Sequence, residues 1–152
     1  MMSKKKKKYE LEDTRVSLKT KVAALWASLM FLYLYVDYFH LYMPGKIDNI
    51  LNGFVFKFDI TQAFLLTALA SMTIPAIMIF LSVALPARTN RLLNITIATI
   101  YIPYTLFNLA GEIPWLHMVF AAVAEVALLC IIIAYAWKWP VLQNQQPATI
   151  VT

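Results

Sequence analysis

Four long apolar stretches, residues 22–42, 62–85, 92–111 and 115–137, constrain this chain more than any other feature of its sequence. A helix crosses the hydrocarbon layer of a bilayer with about 20 apolar residues, and each stretch reaches that length. Backbone polar groups left unpaired in lipid are costly, so only helices and closed barrels can cross. The period-two alternation of a barrel strand is absent, and the four stretches are therefore read as helices. Composition agrees: 61% of the 152 residues are hydrophobic and 14% are charged, against about 25% charged in a soluble domain. The expected architecture is all-α, an integral membrane four-helix bundle over residues 22–140. A basic tail, residues 1–21, precedes it and a polar tail, residues 141–152, follows.

Charge sets the expected orientation. Lys4 to Lys8, Arg15, Lys19 and Lys21 precede the first span, Arg88 and Arg91 lie between the second and third, and Lys138 follows the fourth. The first loop carries only Lys46 and Lys57. By the excess of Lys and Arg on the cytoplasmic side, both termini are expected in the cytoplasm and residues 44–61 outside. The lysine run next to a span points to anionic lipid headgroups as partner. With no stacking aromatics beyond Tyr9, nucleic acid is not expected. Trp26, Trp115, Trp137 and Trp139 fall near span ends, where interfacial anchors sit.

In the first loop Ile47, Ile50, Leu51 and Phe54 repeat with helical spacing between Pro44-Gly45 and Gly53. That pattern fits a short amphipathic helix in the outer interface, able to cap the bundle; a plain surface connector is the other reading.

Within the spans, polar groups are costly unless they face protein or water. Trp26, Met30, Tyr33, Asp37 and His40 share one face of the first span. Asn94, Ala98, Tyr101, Thr105, Asn108 and Glu112 share one face of the third. Spacings of three and four are those of a helix-bundle seam, so both stripes should face inward. Thr67, Ser71, Pro75, Met78 and Ser82 follow a similar period in the second span. Pro75 should kink that helix and free a carbonyl, and Pro103 should do likewise in the third. From the helical rise, Asp37, His40, Asn108, Glu112 and His117 share a level near the outer surface. Glu125 lies about 15 Å below Trp115, level with Tyr33, Tyr101 and Thr105. With no cation at its depth, Glu125 is expected to be a neutral carboxyl hydrogen-bonded within the bundle, either as a proton-carrying group or as a packing device bonded to Tyr33 or Tyr101.

Asp37, His40, Glu112 and His117 are also the donor types that zinc takes, but their spacing forms no closed metal motif, and neither metal nor cofactor is assigned. The one cysteine, Cys130, lies in an apolar run. It excludes an internal disulfide and is read as a small buried hydrophobe.

Residues 34–46 (LYVDYFHLYMPGK), 85–95 (LPARTNRLLNI) and 135–140 (YAWKWP) resemble a family of small bacterial four-helix membrane proteins catalogued only as a domain of unknown function. The architecture is more distantly similar to that of DoxX-like four-helix membrane proteins. The resemblance covers about residues 20–140 and implies the fold and a bacterial cytoplasmic membrane, but no activity.

Three functional classes follow. One is a small-molecule-binding or proton-coupled transport protein with an outward-facing polar pocket of Asp37, His40, Asn108, Glu112 and His117 above Glu125, Tyr33 and Tyr101. Another is a structural or accessory subunit, with a membrane partner or a second copy covering its lipid-facing surface. The third is a lipid- or quinone-linked enzyme with His40 or His117 as general base.

Overall fold

Local signals set the helix ends. In the computed structural model, which describes residues 15–110 and 115–140, the Ser17 side chain accepts the Thr20 backbone N–H at 3.2 Å and starts α1, Leu18–His40. Thr61 does the same for α3, Gln62–Ala84, through the Phe64 amide at 3.1 Å. Between them lie α2, Lys46–Leu51, and a two-stranded antiparallel hairpin of β1, Phe54–Val55, and β2, Phe58–Asp59. Two further helices follow, α4, Ala87–Ala110, and α5, Leu116–Trp137. Helices α1, α3, α4 and α5 are long and apolar enough to cross a membrane. The chain is a multi-pass membrane protein with an all-α membrane domain. The lysine run, Glu112 and the C-terminal tail lie outside the described residues.

Two spans start earlier than their apolar residues suggest. Helix α1 gains a turn from its Ser17 cap, and α4 begins at Ala87, so Arg88 to Arg91 are helical and only Leu85 and Pro86 connect the two helices. The Pro86 carbonyl accepts the Asn90 amide at 2.9 Å, so this proline opens α4 without breaking it. A polar sequence there reads as a loop. In the fold Asn90 turns inward while Arg88 stays exposed and Arg91 is half-buried.

Successive spans run antiparallel. Helix α1 packs between α3 and α5, α4 packs most extensively on α5, and α3 meets α4 less closely. This leaves α1 and α4 across a diagonal, bridged by long side chains. Small residues permit the close α4–α5 approach: Ala98 on α4 and Ala121, Ala122 and Ala136 on α5 are buried. Leu29, Met78, Ala98 and Leu129, one from each span, belong to one buried cluster and are closed to solvent.

The two ends differ in chemistry. Arg15, Lys19, Lys21, Arg88, Arg91 and Lys138 gather at the end where α1 begins and α5 finishes, called here the basic end. There the Lys19 ammonium donates to the Val83 carbonyl at 3.2 Å and the Leu85 carbonyl at 2.6 Å, satisfying acceptors at the C-terminus of α3 and complementing its dipole. The hairpin end is aromatic, with Tyr35, Tyr38, Phe39 and Tyr42 stacked along α1 and its exit, and Phe58 stacked on Phe64. Gly45 and Gly53, which bound α2, have φ of 78° and 86°, a region that favours glycine. Ile47, Ile50, Leu51 and Phe54 stay exposed and α2 packs chiefly on β1, so its apolar face is left uncovered and does not cap the bundle. The hairpin after it was not legible from the sequence, because two-residue strands leave no periodic signal.

Candidate functional site

The inward face of α4 consists of Asn90, Asn94, Ala98, Tyr101 and Thr105, all buried. Around it the interior polar groups form three clusters at successive depths.

The cluster nearest the hairpin end is built on Thr105. Its hydroxyl lies 3.2 Å from the Tyr33 hydroxyl of α1 and is hydrogen-bonded to the Glu125 carboxyl of α5. Glu125 is 5% exposed. Asp37, one turn along α1 from Tyr33, lies within electrostatic range of Glu125 and also of His40. Asp37 is exposed, so a carboxylate open to the surface stands above a buried one. Of the two tyrosines expected to partner Glu125, Tyr33 is beside it through Thr105.

Tyr101 bonds elsewhere. Proline 75 has no N–H to give to the carbonyl four residues before it, that of Ser71, and the Tyr101 hydroxyl donates to this freed acceptor. The Tyr104 hydroxyl lies 3.3 Å from the Ser71 hydroxyl. The phenol from α4 thus replaces the missing helix bond in α3. Tyr101→Phe would orphan that carbonyl, and the expected loss is about 1 kcal/mol of unfolding free energy in mixed micelles; an unchanged midpoint would mean that water satisfies the carbonyl as well.

The third cluster lies toward the basic end. Trp26 Nε1 donates to Asn94 Oδ1 at 2.6 Å, the Ser82 hydroxyl donates to the same oxygen at 3.3 Å, and Asn94 Nδ2 donates to the Asn90 carbonyl at 2.8 Å and to Asn90 Oδ1 at 2.5 Å. Asn90 Nδ2 donates in turn to the Ser82 carbonyl at 2.5 Å. Trp26, Ser82, Asn90 and Asn94 are all 0% exposed. Trp26 is therefore an interior group and not an interfacial anchor: the longer α1 places it two turns inside, where its indole N–H needs a partner. Sequence reasoning put Trp26, Ser82 and Asn94 on inward stripes but missed the network. The signal available was the Asn90 and Asn94 pair, four residues apart and facing the serine of the preceding helix.

Of the remaining candidates, Asn108 is exposed on α4, and Glu112 lies outside the described residues. His117 lines a cleft of about 410 Å³ with Phe39, Tyr42, Met43 and Trp115. Its Nε2 is buried without a hydrogen-bond partner among the described residues, and its ring meets Trp115 edge-on at 6.1 Å. Cys130 is exposed on the lipid-facing side of α5 rather than buried. Among the described residues no three His, Cys, Asp or Glu are grouped to hold a metal ion.

A family model spans residues 6–144, including all four membrane helices and all three clusters. The chain belongs to the DUF6326 family, a family of unknown function. No curated protein and no solved structure matches it.

Proposed function

We propose that this DUF6326 member is a small-molecule-binding or proton-coupled transport protein whose site opens toward the hairpin end, with Glu125 at its base and Asp37 at its mouth. The observation that carries this reading is the buried Glu125 carboxyl bonded to Thr105, whose hydroxyl also meets Tyr33, with the exposed Asp37 in electrostatic range above it. A buried carboxylate with a second ionisable group between it and the surface suits the stepwise entry of a proton or a small cationic solute. Between this cluster and the one around Asn94, Leu29 and Ala98 are closed to solvent, which supports access from one side at a time.

The test is pH-difference infrared spectroscopy of the full-length protein in lipid. A carboxyl band from Glu125 is expected to change with pH, to vanish in Glu125→Gln and to move in Asp37→Asn. Glutamine keeps the side-chain shape and hydrogen bonding, so the fold persists. A spectrum that is the same in wild type and Glu125→Gln removes the proton-linked reading.

The setting that goes with this function is a bacterial cytoplasmic membrane, with both termini inside and the N-terminal lysine run on anionic lipid. Its support is the division of eleven Lys and Arg at the basic end and tail against Lys46 and Lys57 at the other. In intact cells Asn52→Cys, made in a Cys130→Ala background, should react with an impermeant thiol reagent, whereas Thr89→Cys should not. The opposite pattern inverts the topology.

One observation favours an accessory subunit as a second reading. Helix α3 buries only Pro75, Met78 and Ser82, which leaves most of its surface for lipid or a partner helix. Purification in mild detergent as a lone monomer would count against it.

A further inference from the structure

On the lipid-facing side of α5, Cys130, Ile133, Ala134, Trp137 and Lys138 wall a groove of about 330 Å³. It starts at the basic end, where α5 finishes, and reaches Cys130 about 12 Å farther into the hydrocarbon by the helical rise. The small side chains of Cys130 and Ala134 make the depression, and Ile133 and Trp137 stand beside it. The walls are apolar over their length, apart from the ammonium of Lys138 at the mouth. A second cation is close: the Arg91 guanidinium of α4 lies 5.8 Å from the centre of the Trp137 ring.

We propose that this groove binds one anionic phospholipid of the leaflet at the basic end, an acyl chain lying along Cys130, Ile133 and Ala134 and the phosphate-bearing headgroup meeting Lys138 and Arg91. Charge complementarity selects the occupant. Among the described residues the acidic side chains are Asp37, Asp48, Asp59 and Glu125, all in the half of the molecule toward the hairpin end, so nothing described near the mouth offsets the two cations. A tryptophan at headgroup depth supplies a flat amphipathic wall, and its ring holds the Arg91 cation in place. The site is separate from the N-terminal lysine run and independent of the Glu125 reading, since it needs only that α5 crosses the membrane.

The experiment uses the full chain reconstituted with equal phosphatidylcholine and phosphatidylglycerol, then released for native mass spectrometry with retained lipids counted. Wild type should keep one phosphatidylglycerol in preference to phosphatidylcholine. Ala134→Trp fills the groove and should abolish retention, while Lys138→Gln and Arg91→Gln should each lower the preference about fivefold, as expected for one basic group at a lipid surface. Lys138 is exposed, so its replacement leaves the fold intact should Ala134→Trp fail to fold. Lys57→Gln, at the opposite end, should change nothing. Equal retention of the two lipids by wild type overturns the proposal. So does a preference that survives both charge replacements, or one that disappears when Lys4 to Lys8 are replaced by glutamine while Lys138 and Arg91 remain.

Discussion

Replacing Asn94 by leucine should lower unfolding free energy by about 2 to 3 kcal/mol. The two side chains share one branched shape with the same number of heavy atoms, so the substitution removes the hydrogen bonds without opening a cavity. Asn94 accepts from Trp26 and Ser82 and donates twice to Asn90, and all four residues are sealed from solvent. Hydrogen bonds between membrane helices average about 0.6 kcal/mol and reach about 1.7 kcal/mol, because the unfolded helices in lipid find other partners. The larger expectation here comes from what remains behind: an indole N–H and an Asn90 carboxamide oxygen in a space that water does not reach. Reversible unfolding in mixed micelles, with Trp26→Phe as the second arm of a double-mutant cycle, measures the pair. The two losses should be clearly less than additive, since each removes the same Trp26–Asn94 bond. A loss below about 0.5 kcal/mol, the range of ordinary surface substitutions, would show that the network is replaceable.

Ala98→Phe should cost about 3 kcal/mol, the upper part of the range for overpacking a filled core. Ala98 has no exposed surface and shares a buried cluster with Leu29, Met78 and Leu129, which have almost none. A phenyl ring there has to push α4 away from its neighbours. The same displacement would stretch both bonds across the α1–α4 diagonal, Trp26 to Asn94 on one side of Ala98 and Tyr33 to Thr105 on the other. Leu92→Phe on the exposed face of α4 is the matched control and should leave stability within about 0.5 kcal/mol of wild type. If the two variants unfold alike, the cluster is looser than the burial of its residues implies.

Much of the seam was legible because helical periodicity and the expense of polar groups in lipid act through spacing alone. Asn94, Ala98, Tyr101 and Thr105 recur at four, three and four residues and all face inward, as do Trp26 and Tyr33 on α1 and Pro75, Met78 and Ser82 on α3. The carbonyl freed by Pro75 was legible for the same reason, since a missing N–H always orphans the acceptor four residues earlier. Which group answers it was not, because that depends on where a tyrosine of another helix reaches. Asn108 continues the α4 stripe in sequence yet is exposed, and Thr67 continues that of α3 yet bonds its own Ala63 carbonyl. Periodicity has no term for where two helices stop touching.

Solvent and one-dimensional spacing dictate the number of spans, their helical form, the faces they turn inward and the chemical difference between the two ends. The partners come from the packing of the four helices. It set Glu125 on Thr105, gave Tyr101 to the Ser71 carbonyl, drew Trp26 away from the interface into a bond with Asn94, and put His117 in a cleft with Phe39, Tyr42, Met43 and Trp115. The physical reason is that depth along a helix follows from a rise per residue, whereas a hydrogen bond also needs azimuth and interhelical distance, and those arise only when four helices pack against one another.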